Sequence, residues 1–375
     1  MPYAQTLLFL HGIGDGDPQE KWRSTLEESL TGIGYPGLSG IEVVAPKYPN
    51  GLNGVDEVKP LPKVAVKVLR GDEANRHRRD FERRRTAMEI LLGSDDRGDG
   101  LPGGARVAGV VAALGPFAQA DNYVKKPEVR AWVLNWILGQ LPRSGRLVIV
   151  GHSLGSVIAA DLIRRLPPDV EVVGLVTIGS PLAYDTFHVD DLRDSLSEPP
   201  SNLGWWVNFW SKSDPVQTHR GVSPMLPWVL DHRVKTLSGA NLKEAHSAQA
   251  YLRNVHVARA VGHALFGSQS KALVLAEKGL DIRLDYPETS ALLALRYAHL
   301  TAKEIEGDMR DRYAEAVRWV QADTFEKIKE RNKAENRPMP SAVAGIAVDL
   351  TNPTSATPEP LTPGHLSISE AVVPL

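Results

Sequence analysis

Residues 146–167 read RLVIVGHSLGSVIAADLIRRLP. The apolar run over residues 146–150 predicts a buried strand and residues 156–166 predict a helix, with Gly151-His152-Ser153-Leu154-Gly155 as the turn between them. A strand that passes through a tight turn straight into a helix is half of a β-α-β unit, so the stretch predicts an α/β fold: a mostly parallel sheet flanked by helices. The alternation repeats along the chain. Strands are predicted at 6–10, 41–45, 172–178, 205–210 and 233–237, each with the near-continuous apolar character of strands buried on both faces. Helices are predicted over 20–30, 73–92, 128–138 and 246–265. Together these elements make one α/β domain over residues 1–268.

Beyond that domain the alternation stops. Leu292, Leu295, Ala302, Ile305, Met309, Tyr313, Ala316, Val320 and Ile328 recur mostly at three- and four-residue steps, which predicts an amphipathic helical extension over 269–336. Residues 338–375 hold seven prolines, three charged side chains and no aromatic ring, so residues 337–375 are expected to form a flexible tail. The 375-residue chain is 42% hydrophobic and 23% charged, which excludes a wholly disordered chain. Its 43 Lys and Arg against 45 Asp and Glu leave a net charge of −2, which argues against a nucleic-acid binder. The absence of cysteine excludes disulfides, thiolate metal centres, iron–sulfur clusters and a cysteine nucleophile. The start MPYAQTLLFLHGIG lacks the basic opening of a secretory signal, and no apolar run reaches the length of a membrane span. A cytoplasmic protein is expected. His188, Asp190 and Asp191 cluster in sequence without any H-E-x-x-H pattern, so neither a metal nor another cofactor is expected.

A serine hydroxyl is a weak nucleophile unless it stands clear of the backbone with a base beside it. The G-x-S-x-G turn lifts Ser153 out of the sheet edge toward the positive end of the following helix. On this turn and its flanking strand and helix, residues 5–265 resemble the α/β-hydrolase fold and, within it, the lipase and serine-esterase families. Three further stretches extend the resemblance. LLFLHGIGDG, residues 7–16, resembles the HG loop of lipase-like hydrolases, which implies that the backbone N–H groups of Ile13 and Leu154 form an oxyanion hole. A phosphate-binding loop is the competing reading, but G-x-G-x-G places Asp17 where a dinucleotide fingerprint has its third glycine. LVTIGSPLAYD and WWVNFWSKSDPVQTH resemble the two strands after the nucleophile helix; the resemblance implies Asp214 as the acidic member of a triad, with Asp185 as rival. In DHRVKTLSGANLKEAHSAQAYL, His246 follows Asp214 by 32 residues and one strand, in the order Ser, Asp, His, with His219 and His256 as rivals for the base.

The resemblance implies hydrolysis of carboxylic esters, acyl or lipid esters among them, through an acyl-enzyme. Thioester cleavage and acyl transfer use the same groups, and a non-catalytic interaction module on a hydrolase scaffold is the alternative of another class. For substrate binding, His152 flanks the serine, and residues 221–230 offer Met225, Leu226 and Trp228, with packing on the core as their plainer role. Insertions at 100–123, 182–204 and 221–230 are candidate lids. RHRRDFERRR, residues 76–85, offers a cationic helix for peripheral contact with phospholipid headgroups or, as a solvated face, internal ion pairs. The carboxy-terminal helices are the candidate surface for a protein partner.

Overall fold

The computed structural model describes residues 5–56, 59–92, 98, 118–190, 192–217, 220–236 and 242–267, together with scattered residues between 309 and 323. Contacts along the chain divide it into two compact units, residues 1–81 with 95–266 and residues 82–94 with 267–375. In the second unit the described residues after 308 are helical, and Ala316, Val317 and Val320 are buried. The rest of the predicted extension, and the tail, lie outside the described residues.

The first unit is built on six parallel strands: β1 (Gln5–Leu10), β2 (Glu42–Val44), β3 (Ser144–His152), β4 (Asp169–Ile178), β5 (Trp206–Trp210) and β6 (Leu230–Arg233), in the order β2-β1-β3-β4-β5-β6. Helices flank the sheet, as the sequence alternation predicts. β3 and β4 are exposed or half-buried at their first residues and buried toward their carboxyl ends, so the apolar core gathers where the strands deliver their loops. From β1 the chain moves outward to β2 and then returns to place β3 on the other side of β1. That reversal opens a crevice between the carboxyl ends of β1 and β3, the place where open α/β sheets bind ligands.

Two predicted elements are corrected. The last strand lies at Leu230–Arg233, not 233–237, because Val207 to Trp210 of β5 pair with Leu230 to Arg233. Asp231 is wholly buried there and accepts hydrogen bonds from Asn208 and from the N–H groups of Val222 and Ser223. The long helix predicted over 246–265 is three: Leu242–Ala245, Ala248–Leu252 and Val255–Phe266. Ser247 caps the second through the Ala250 N–H, which leaves His246 in the break before it. Within the candidate lid at 100–123, the described part is the start of a helix, Ala118–Lys125.

The helix that follows β3, Leu154–Leu162, is buried at every residue. It is locked through Asp161, wholly buried between Arg130 (Nε at 2.6 Å, Nη2 at 3.0 Å), Arg165 (Nε at 3.0 Å) and the Tyr123 hydroxyl at 3.0 Å. Arg130 also pairs with Asp190, and Arg165 donates to the Pro62 carbonyl. Burial works against the Asp161 carboxylate, but the hydrogen bonds and charges of Arg130 and Arg165 outweigh it and hold its pKa below the ordinary range. Removing the Asp161 charge leaves buried Arg165 without its carboxylate and Arg130 with Asp190 in place of two, so Asp161→Asn is expected to lower stability by about 3–5 kcal/mol. Chemical denaturation of the two proteins measures this, and a loss below about 1 kcal/mol, the worth of an exposed pair, would contradict it. In the Arg-rich helix, Gly71–Leu92, Arg78 engages Glu198 through both Nε and Nη2, so this arginine is spent on an ion pair within the protein.

Candidate active site

The turn after β3 is tight enough to demand its glycines. A Cβ on Gly155 would lie 2.1 Å from the Leu10 carbonyl oxygen, and one on Gly151 would lie 2.8 Å from the carbonyl oxygen of Gly155. The helix therefore leaves the sheet at backbone-to-backbone contact with β1. Between the glycines Ser153 has φ 53° and ψ −124°, a conformation that side-chain-bearing residues avoid and that costs of order 1–3 kcal/mol. Its N–H donates to the Ile178 carbonyl and its own carbonyl accepts from the Ser156 hydroxyl, so strand and helix hold the strained residue from both sides.

The Ser153 hydroxyl lies 2.9 Å from Nε2 of His246, and Nδ1 of His246 lies 3.0 and 2.9 Å from the two carboxylate oxygens of Asp214. Three residues separated by 61 and 32 positions thus form one hydrogen-bonded line. Asp214 is wholly buried, and Val216 N–H donates to its Oδ1 at 2.8 Å. The rival acid Asp185 is exposed and lies 3.7 Å from His188. Of the rival bases, His256 lies with its ring tilted against that of His232, and His219 lies outside the described residues.

The loop after β1 meets the same serine. A Cβ on Gly12 would fall 2.8 Å from Cβ and 3.3 Å from Oγ of Ser153, so only glycine lets this loop approach so closely. Ile13, the next residue, packs against the core, and Leu154, buried, begins the helix, where its N–H has no partner within the helix. Gly14 N–H donates to Oε1 of Gln119 at 2.8 Å, and the Gln119 amide donates to Asn53, which ties the loop to two neighbouring helices. At the root of the loop, His11 stacks on Tyr48 with ring centres 4.0 Å apart and donates from Nδ1 to the Gly12 carbonyl at 2.7 Å. The Tyr48 hydroxyl donates to the His11 carbonyl at 2.6 Å.

His152, expected to bind substrate, is instead tied to the protein: its Nε2 donates to the His246 carbonyl at 2.6 Å and so fixes the backbone that carries the imidazole. Met225, Leu226 and Trp228 are buried in the apolar core cluster. Trp228 meets Phe81 and Trp206 edge-on and donates its indole N–H to the Leu196 carbonyl, so core packing accounts for it. Sequence reasoning missed Tyr48, Gln119, Gln217 and Tyr251, because an isolated polar residue in a loop or helix carries no spacing signal.

Burial pushes the His11 imidazole down to about 4, and burial together with the His246 imidazole pushes His152 down to about 3. Both are neutral near pH 7. An unfolded chain protonates such histidines near pH 6.5, so their contribution to stability is present above 6.5 and is lost as pH falls toward the folded values. For His11 alone about 2 kcal/mol disappears between pH 6.5 and 5. Urea midpoints measured across that window, above the carboxylate range, are expected to fall; a flat profile would show that these rings are hydrated.

Among the described residues no group of His, Asp and Glu is arranged to hold a metal ion, and no helix is long and apolar enough to cross a membrane. No family model matches the chain, and no curated protein matches it. Among solved structures the chain is similar to a crystal structure of an uncharacterized protein from Pseudomonas aeruginosa, with 15% sequence identity and a TM-score of 0.25. That alignment covers 99% of this chain and 62% of the other, so the chain spans less than two thirds of that protein's length.

Proposed function

We propose that this protein is a serine hydrolase of the α/β-hydrolase fold that cleaves carboxylic esters, with acyl and lipid esters as the favoured class. One observation carries the reading: the unbroken line from the Ser153 hydroxyl through the His246 imidazole to the buried Asp214 carboxylate. The parallel sheet, the crevice where its strand order reverses and the strained serine turn beside a glycine loop support the same fold. His246 Nε2 takes the proton of Ser153 as Oγ bonds to the acyl carbon, and Asp214 stabilises the imidazolium. The tetrahedral oxyanion is held by the N–H groups of Ile13 and Leu154. When the carbon–oxygen bond to the leaving alcohol breaks, His246 returns the proton to that alcohol. Water, deprotonated by the same imidazole, then attacks the acyl-serine and frees the acid and Ser153.

The test is a panel of p-nitrophenyl esters of increasing acyl length given to the parent protein and to Ser153→Ala. Turnover that depends on Ser153 supports the reading, and its length profile outlines the acyl site. Failure of the parent to turn over any activated ester, or to be labelled by a fluorophosphonate, would remove the hydrolase reading and leave the interaction module.

A further inference from the structure

Behind the proposed acid lies a polar group that this mechanism does not use. Tyr251 is wholly buried on the helix that starts two residues after His246. Its hydroxyl lies 2.6 Å from Oδ2 of Asp214 and 2.7 Å from Oε1 of Gln217. The Gln217 amide is fixed in turn: Oε1 accepts from the Ser211 N–H and Nε2 donates to the Phe209 carbonyl. A flipped amide would set donor against donor and acceptor against acceptor, so Gln217 presents oxygen to Tyr251. The phenol has one proton and two acceptors, of which Asp214 carries the full charge and the shorter contact. Burial and the adjoining carboxylate push the phenol well above its ordinary pKa of 10, so the hydroxyl keeps its proton. With Val216 N–H on Oδ1, Tyr251 on Oδ2 and His246 across both, neither carboxylate oxygen is free to turn.

We propose that Tyr251 is a positioning residue for the hydrolytic reaction: its hydroxyl clamps Asp214 in the plane that lets the carboxylate bridge Nδ1 of His246. This rests on the hydrolase reading. Among the described residues, Oδ2 meets the Tyr251 hydroxyl on one side and the imidazole whose orientation it sets on the other. A charge-assisted hydrogen bond lost in part from the transition state corresponds to about tenfold in rate.

Tyr251→Phe keeps the ring and removes only the oxygen. Its kcat on an activated ester is expected to fall about tenfold with KM within about twofold of the parent. In an Asp214→Asn background, where the charge it serves is gone, the same substitution is expected to change kcat by less than about twofold. The proton resonance of the His246 Nδ1–H is expected to shift in Tyr251→Phe, with circular dichroism unchanged. An unchanged kcat, or an equal fractional loss in both backgrounds, overturns the clamp while leaving the hydrolase reading intact. A parent without Ser153-dependent turnover overturns both. Should Tyr251→Phe unfold, an unmoved Nδ1–H resonance in Gln217→Glu, which crowds the same hydroxyl with a second carboxylate, decides against the clamp.

Discussion

Ser153→Ala is expected to abolish covalent labelling by a fluorophosphonate and to lower kcat for an activated ester by on the order of 10⁵- to 10⁶-fold. The loss is near-complete because nothing nearby can replace Oγ. Ser156, the closest other serine in sequence, directs its hydroxyl at the Ser153 carbonyl, 2.6 Å away, and lies 2.7 Å from the Ser180 hydroxyl, so its oxygen is engaged with these groups and not with His246. The fold should survive, because alanine at φ 53° carries the same Cβ and hence the same strain as serine. A variant with a parental circular dichroism spectrum and melting temperature but no label would separate chemistry from folding. Labelling equal to the parent's would place the reactive oxygen elsewhere and remove Ser153 from its role.

How much of this was legible beforehand depended on the length scale of each signal. The parallel sheet could be read because six apolar runs alternate with amphipathic segments, and burial on both faces suppresses the polar half of a strand's period. Ser153 could be read because Gly151 and Gly155 are local requirements: a Cβ at either position meets backbone that cannot move. Asp214 and His246 were legible as residue types in order, the first shortly after β5 and the second in the segment that follows β6. What the chain did not disclose was long-range. The break of the 242–266 region into three helices depends on Ser247 as a cap, and Ser247 sits in an otherwise helical pattern. The shift of the last strand depends on Asp231, a charge in a run that reads as loop until Asn208 and the Val222 and Ser223 N–H groups are seen to satisfy it. His152 resembled a residue turned to substrate because it adjoins the serine; only the third dimension aims its ring at the His246 carbonyl, 94 residues away. Met225, Leu226 and Trp228 lie in the apolar core cluster, and hydrophobic character alone cannot distinguish an acyl site from a core.

Asp214→Asn is expected to lower kcat by about 10⁴-fold while leaving KM and stability close to the parental values. The neighbours of the side chain decide which way the new amide turns. Val216 N–H points at the Oδ1 position from 2.8 Å and admits only an oxygen there, so the amide nitrogen must occupy the Oδ2 position. That site suits it in part: the Tyr251 hydroxyl can turn its proton to Gln217 Oε1 and accept one amide hydrogen. The other amide hydrogen then faces Nδ1 of His246 across the 2.9 Å that the carboxylate had spanned. Nδ1 answers a donor by becoming an acceptor, which moves the ring proton to Nε2, against the Ser153 hydroxyl 2.9 Å away. In that tautomer the imidazole cannot take the serine proton, and any imidazolium that does form has lost its counter-charge. Fold and substrate contacts are untouched because the substitution is isosteric and wholly buried. Asp185→Asn serves as the control: that carboxylate is exposed beside His188, and its loss should leave kcat within about twofold. A loss below tenfold for Asp214→Asn, or a large one for Asp185→Asn, would move the acid's role away from Asp214 and break the line on which the proposed chemistry depends.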